Sequence, residues 1–541
     1  MAILLLLVFI YNNEKSKNED LEINNLTYKI LFILIITIGL LVRLWEFGIV
    51  PGGVNQDGAM AAVDGLALAE YGTDRFGTWM PAHLSAWGYS QMSSLLSYLI
   101  AIFIKIFKFT LVVVRLPQLL VSVMGAIFFY LFMRDNFGKK IGLIAAFFVA
   151  INPWHFMQSR WALEANLLPH FFMGGLYFLS KGIKDRKCYI YISMIFFGFA
   201  MYCYGIAIYT IPFFLTISAI YYYIDKKITM KDIVISICIY LFIAWPFILT
   251  MMVNYFKWDT ITLPFVTIQY FPDSVRANDI LFFSDNILKQ LLLNFYCLMR
   301  TTILQIKALP WNDINGFGTM YYFTLPFVII GLWMLLKNKK DGNRVLIVFA
   351  ILTGIWTGLT TNYVNINRMN IIYYGMMMLS VIGIYSVVKE VKYAKWVVPC
   401  MYLLSSILLV NTYFTSYAKD IGRAFYDGFG KALIVAEKAN TAKIYVTADA
   451  QGKGYVATSE ILTMFYDKMD AHYFQGKTNI NNDKEYLPYK ERYHYLSMTE
   501  ELVDNTKDDD VAYVIMNSDK QYFDDTYEII DYGDYSAVIK K

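Results

Sequence analysis

Charge is scarce in this sequence. Of its 541 residues only 17% are charged, while 57% are hydrophobic. A soluble chain carries about 25% charge, so an ordinary soluble globular class is excluded. The net charge of +4 says little about partners, and no nucleic acid is expected among them. Cysteine is also sparse. Cys188, Cys203, Cys238, Cys297 and Cys400 form no CxxC, and none lies in the polar C-terminal segment. A disulfide framework or a zinc site is therefore not implied. There is no P-loop, HExxH, GxSxG or GxGxxG. "GFG" at Gly316 and "GKG" at Gly452 are too short to count. Nor is there an internal repeat of the kind that marks many transporters.

What is present is a series of apolar runs near twenty residues, long enough for a bilayer core of about 30 Å. They fall at 27–45, 112–133, 140–156, 166–181, 188–205, 206–224, 233–253, 320–336, 345–361, 369–388 and 396–413. The reading is a polytopic α-helical membrane protein with about eleven spans. The third run is broken by Pro153. The segment 1–26 precedes the spans. Its apolar start, "MAILLLLVFI", is too short to cross and lacks the basic region of a secretory signal. It reads as an interfacial segment or a misplaced start.

Five alternate connections are short and basic: "RDNFGKK", "KGIKDRK", "DKKITMKD", "KNKKDGNR" and "KEVKYAK". Cytoplasmic loops have that character. The opposite loops, 46–111, 154–166, 254–319 and 362–368, are then outside. "QMSSLLSYLIAIFIKIFKF", from Gln91 to Phe109, is read as a helix lying in the outer interface, because Lys105 and Lys108 make its second half amphipathic. Were it to span, Asp57 would be cytoplasmic while Glu164 stayed outside. The tail, 414–541, is polar and outside. "KIYVTA" and "VAYVIM" read as strands. "FGKALIVAEKAN" and "YVATSEILTMFYDKM" have helical periodicity. A small extracytoplasmic α/β domain is expected. The triplet Asp508, Asp509 and Asp510 reads as a solvated turn, and His472 and His494 as surface residues.

Arginines on the outer side are the exceptions to the charge rule. They are Arg75, Arg115, Arg160, Arg276, Arg300 and Arg368. The planar guanidinium fork matches a lipid phosphate. Snorkelling to headgroups or pairing with a structural acid accounts better for any one of them, but not for the group as a whole. Two outer carboxylates complete the set, Asp57 in "NQDG" and Glu164 in "SRWALE". On a helix, Arg160 and Glu164 would share a face. A carboxylate beside apolar lipid can act as a base near neutral pH, and Asp57 has no basic sequence neighbour.

"RLWEFGIVPGGVNQDGAMAAVDGLALAEYGTDRFGTWMP", "WGYSQMSSLLSYL", "RLPQLLVSVMG" and "INPWHFMQSRWALEANLLPHFF" follow in order over roughly the first 220 residues. "NINRMNIIYYG" adds a weaker match near Arg368. This series resembles membrane glycosyltransferases of the GT-C fold, specifically the bacterial protein O-mannosyltransferase and aminoarabinose transferase family. The resemblance implies transfer of a sugar from a polyprenyl phosphate to a protein, lipid or glycan acceptor on the outer face of the plasma membrane, usually with inversion. It implies catalytic roles for Asp57 and Glu164, with Arg160 beside the latter. Arg368, Arg115 and Arg75 remain the other candidates for donor binding. Many family members carry Asp-Glu where this chain has Asp57-Gly58. The family's tail varies, so no role carries over to it. Asp57 and Glu164 could share a divalent metal, although no ligand cluster demands one. A transporter or flippase, a glycan polymerase or ligase, and a membrane sensor are the competing classes. The first would place charges at mid-span and pair broken helices.

Overall fold

The computed structural model describes residues 24–87, 90–272, 280–306, 309–337, 342–362, 364–448 and 456–541. The N-terminal apolar stretch, Arg276 and the "GKG" triplet lie outside them.

A helix occupies each of the eleven predicted spans. Among the described residues, six helices are long and apolar enough to cross a membrane: Asn25–Leu44, Leu111–Phe137, Ala207–Ile224, Met230–Phe256, Ile372–Glu390 and Ala394–Phe414. The other five run 13–17 residues. The third span ends at Ile151 because Asn152 caps a new short helix, Pro153–Gln158, accepting from the His155 amide at 3.0 Å. Pro153 fits at that first helical position because a proline has no amide hydrogen to satisfy. Leu325–Lys337 and Ile372–Glu390 pack backbone to backbone. A Cβ on Gly331 would strike the Leu379 carbonyl, and one on Gly383 the Phe327 carbonyl. Small residues permit such approach where burial between helices cannot drive packing.

Four of the five basic turns meet at one pole. Asn136 bonds Ser180 Oγ at 2.9 Å and Asn343 bonds Asn136 at 3.0 Å. Lys184 Nζ reaches the Asp135 carbonyl at 2.9 Å, and Lys187 reaches the Lys227 carbonyl. The opposite pole carries a helix, Gln56–Tyr71, a hairpin of His83–Ala86 with Ser90–Ser93, and the helix Leu95–Ile106. At about 1.5 Å per residue, those twelve residues extend about 18 Å, short of a crossing.

The tail contains a five-stranded mixed sheet. Lys443–Thr447 lies parallel to both Tyr493–Leu496 and Val511–Met516. Tyr535–Lys540 and Tyr527–Tyr532 add antiparallel strands beyond Val511–Met516. Phe429–Lys438 and Val456–Tyr466 are its helices. The aspartate triplet is a turn: Asp510 accepts from the Ala442 amide at 2.9 Å and Asp509 faces Lys443 at 3.7 Å. The tail docks on Gln56–Tyr71. Tyr71 bonds Asp470 and stacks on His472 at 3.9 Å. Gln475 donates to the Arg75 carbonyl at 3.0 Å, and Phe474 meets Phe76 edge-on at 5.8 Å. His472 is therefore an interface residue, not a surface one. His494 stacks on Tyr445 at 4.8 Å.

Candidate active site

Asp57 sits in the first turn of Gln56–Tyr71. Asn55 caps that helix and accepts from the Asp57 amide at 3.0 Å. A carboxylate is electrostatically favoured there, where amide dipoles point outward. The preceding "PGGVN" strap is built for close approach. A Cβ on Gly53, whose φ is +71°, would strike the Phe425 carbonyl, and one on Gly52 would strike Asp427. Val54 donates to that same Phe425 carbonyl at 2.8 Å. Gly58 is likewise in close approach, because its Cβ would lie 2.7 Å from the Ala162 carbonyl. The loop that carries Glu164 presses against this position and leaves little room for a larger side chain.

Glu164 opens a short 3-10 turn, Glu164–Leu167, and is buried. Its Oε2 accepts from the Ser93 amide at 2.5 Å, which ties the second outer loop to the hairpin. Arg368 lies in the short helix Ile366–Met369, where Asn365 accepts from its amide at 3.1 Å. Its Nη1 donates to the Asn362 carbonyl at 2.8 Å.

Asp57, Glu164 and Arg368 all line one cavity of about 770 Å³. Its walls include His83, Gln91, Tyr209, Lys257 and Trp311. That volume suits a bound small group and part of a second one. Lys257, the left-handed C-cap of Met230–Phe256, is a second cation on the cavity. Sequence reasoning missed it by looking for outer-side exceptions among arginines alone; "NYFKWD" carried the same signal.

The other three arginines face protein. Arg160 is fully buried, and five carbonyl oxygens lie within 3.2 Å of its guanidinium: those of Val42, Arg43, Trp45, Glu46 and Val50. Phe414 covers it at 4.7 Å. It does not share a helix with Glu164, because Pro153–Gln158 ends before it. Arg115 Nη2 holds the Gly53 carbonyl at 2.7 Å. Together these two arginines splint the chain from the first span to Asp57. Arg75 forms a buried ion pair with Asp64 at 2.6 Å and also bonds the Ser85 carbonyl at 3.0 Å. None of the three lines the cavity that holds Asp57, Glu164 and Arg368. A guanidinium at a helix end satisfies orphan carbonyls as readily as a phosphate. Nearby, burial and the neighbouring Asp64 raise the Asp74 carboxyl to about 6. Among the described residues, no group of three or more His, Cys, Asp or Glu could hold a metal ion.

Residues 93–265 match the family model for dolichyl-phosphate-mannose-protein mannosyltransferase. The structure is similar to that of ArnT from Cupriavidus metallidurans bound to undecaprenyl phosphate, with a TM-score of 0.57 at 11% identity, covering 94% of this chain and 97% of that one. The chain has an ArnT-like fold. The apo structure of the same ArnT aligns with a TM-score of 0.54 at 11% identity over 94% of this chain and 98% of that one. A weaker likeness, TM-score 0.49 at 13% identity, is to the oligosaccharyltransferase of Archaeoglobus fulgidus, over 80% of this chain and 61% of that one. No curated protein matches by sequence. The segment that matches the family model includes Glu164 and Lys257, while Asp57 and Arg368 flank it.

Proposed function

We propose that the enzyme transfers a sugar from a polyprenyl-phosphate donor to a protein, lipid or glycan acceptor by a single inverting displacement, with Asp57 as the base. The observation that carries this reading is the convergence of Asp57, Glu164 and Arg368 on one cavity. Asp57 takes the proton of the acceptor hydroxyl as that oxygen bonds the anomeric carbon. The bond from that carbon to the phosphate oxygen breaks, and the electron pair leaves with the phosphate. Arg368 and Lys257 neutralise the charge that grows there. Glu164 holds the hairpin wall through Ser93 and presents a second carboxylate group to the cavity. If a divalent metal takes part, these two acids are the residues that would hold it.

The cavity and the tail face the outside of the plasma membrane in this reading. Support comes from the basic turns gathered at the other pole. Asp57→Asn keeps shape and polarity but removes the base. Transfer should fall by at least roughly a hundredfold while the lipid-linked donor still binds. Near-normal transfer by the intact variant would defeat the mechanism.

A further inference from the structure

The helix Ile287–Thr302 presents its apolar side outward. Its buried positions are Asn294, Leu298, Thr301 and Thr302, so three of four are polar. Leu288, Leu292, Phe295, Tyr296 and Met299 are exposed, at 68%, 62%, 51%, 60% and 38%. Helical spacing places these five within one arc of about 100°. Exposed Lys289 and Arg300 run beside that arc, three turns apart. Phe282, Phe283 and Leu304 continue the apolar surface at either end. Sixteen residues span about 24 Å, too short to cross.

We propose that this helix is seated in the lipid of the outer interface, its apolar arc among phospholipid acyl chains and Lys289 and Arg300 on their phosphates. A water-facing helix would carry the opposite pattern. The apolar arc bordered by cations is that of an interfacial helix. The inward polar face gives this seat a role. Asn294 Nδ2 donates to the Leu359 carbonyl at 2.9 Å and to Asn362 Oδ1 at 3.3 Å. The Asn362 carbonyl in turn holds Arg368. Asn294 is thus a positioning residue that ties a lipid-borne helix to the Arg368 loop. Only this second step rests on Arg368 as the donor contact.

The seat is tested on the full chain in vesicles of phosphatidylcholine and phosphatidylglycerol, with native cysteines replaced and single nitroxide labels at positions 288, 292 and 296. Collision with oxygen should exceed collision with a water-soluble nickel chelate at all three. A preference for the chelate places the face in water and overturns the proposal. Low access to both reagents means that protein, such as a second copy, covers the face, and overturns it too. For the coupling, Asn294→Ala should raise the donor KM roughly three- to tenfold with kcat little changed. An unchanged donor KM would sink the coupling. An unchanged donor KM in Arg368→Lys would instead count against the donor reading and leave the lipid seat standing.

Discussion

Gly58→Ala adds one carbon to a helix, a change that ordinarily stabilises. Helix propensity alone favours alanine by about 0.8–1 kcal/mol. Here the new Cβ would lie 2.7 Å from the Ala162 carbonyl oxygen. Both sides of that contact are backbone, so no side chain can swing away. Relieving it requires the helix and the second outer loop to separate by about half an ångström. Overpacking of this kind costs about 1–3 kcal/mol, so the net change in stability is about 0–2 kcal/mol. Catalysis should be hit harder. Ala162 lies two residues before Glu164, and Gly58 adjoins Asp57, so the shift moves the two acids apart. A displacement near 1 Å costs about a hundredfold in rate, and half that distance predicts a loss of about tenfold. The assay is transfer from a polyprenyl-linked donor in proteoliposomes, with thermal unfolding measured on the same preparation. Wild-type kcat in Gly58→Ala, with unaltered stability, would show that the close approach does not position the acids.

Arg368→Lys should weaken donor affinity roughly ten- to a hundredfold through loss of the planar fork, measured as apparent donor affinity. Arg160→Lys, by contrast, should destabilise the protein by about 2–4 kcal/mol in unfolding assays, because a lysine cannot reach five carbonyls at once; a stable variant with weakened donor binding would restore Arg160 to the phosphate site. Glu164→Gln should cost less than Asp57→Asn, and a chelator should leave the rate unchanged unless the two acids share a metal. Single cysteines at Lys477 and Lys540 should react with an impermeant thiol reagent in intact cells, whereas one at Lys226 should not; the reverse pattern would invert the topology. In the tail, burial and neighbouring Glu437 raise the Asp467 carboxyl to about 7. The folded state then holds a proton that the unfolded chain has lost, so this group's contribution to stability is full below about pH 4 and is lost as pH rises toward 7, by about 2–4 kcal/mol. Hydrogen exchange at Val511–Met516 should show this slope in the wild type and lose most of it in Asp467→Asn.

The span pattern was legible because long apolar runs recur along the chain and short basic turns alternate between them. The tail strands were legible from short β-branched and aromatic runs. Asp57 and Glu164 were expected to lie close from their places in two connecting loops, and the structure brings them onto one cavity with Arg368. What sequence could not show was direction. Arg160, Arg115 and Arg368 share a residue type and a predicted depth. Arg160 and Arg115 turn to backbone carbonyls away from the cavity, whereas Arg368 lines the cavity while bonding the Asn362 carbonyl. Lys257 was hidden by a narrower oversight, since its cationic head and aromatic neighbours were in view.

The docking of the tail on Gln56–Tyr71 changes what counts as an exchangeable part. Tyr71, Phe76 and the Arg75 carbonyl receive Asp470, His472, Phe474 and Gln475, and the same helix carries Asp57 in its first turn, about four turns before Tyr71. A tail grafted from a relative would meet a foreign surface there, on the helix that carries Asp57. The heritable module is therefore the tail together with residues 52–76, two stretches far apart in the gene that a functional chimera would have to carry as one.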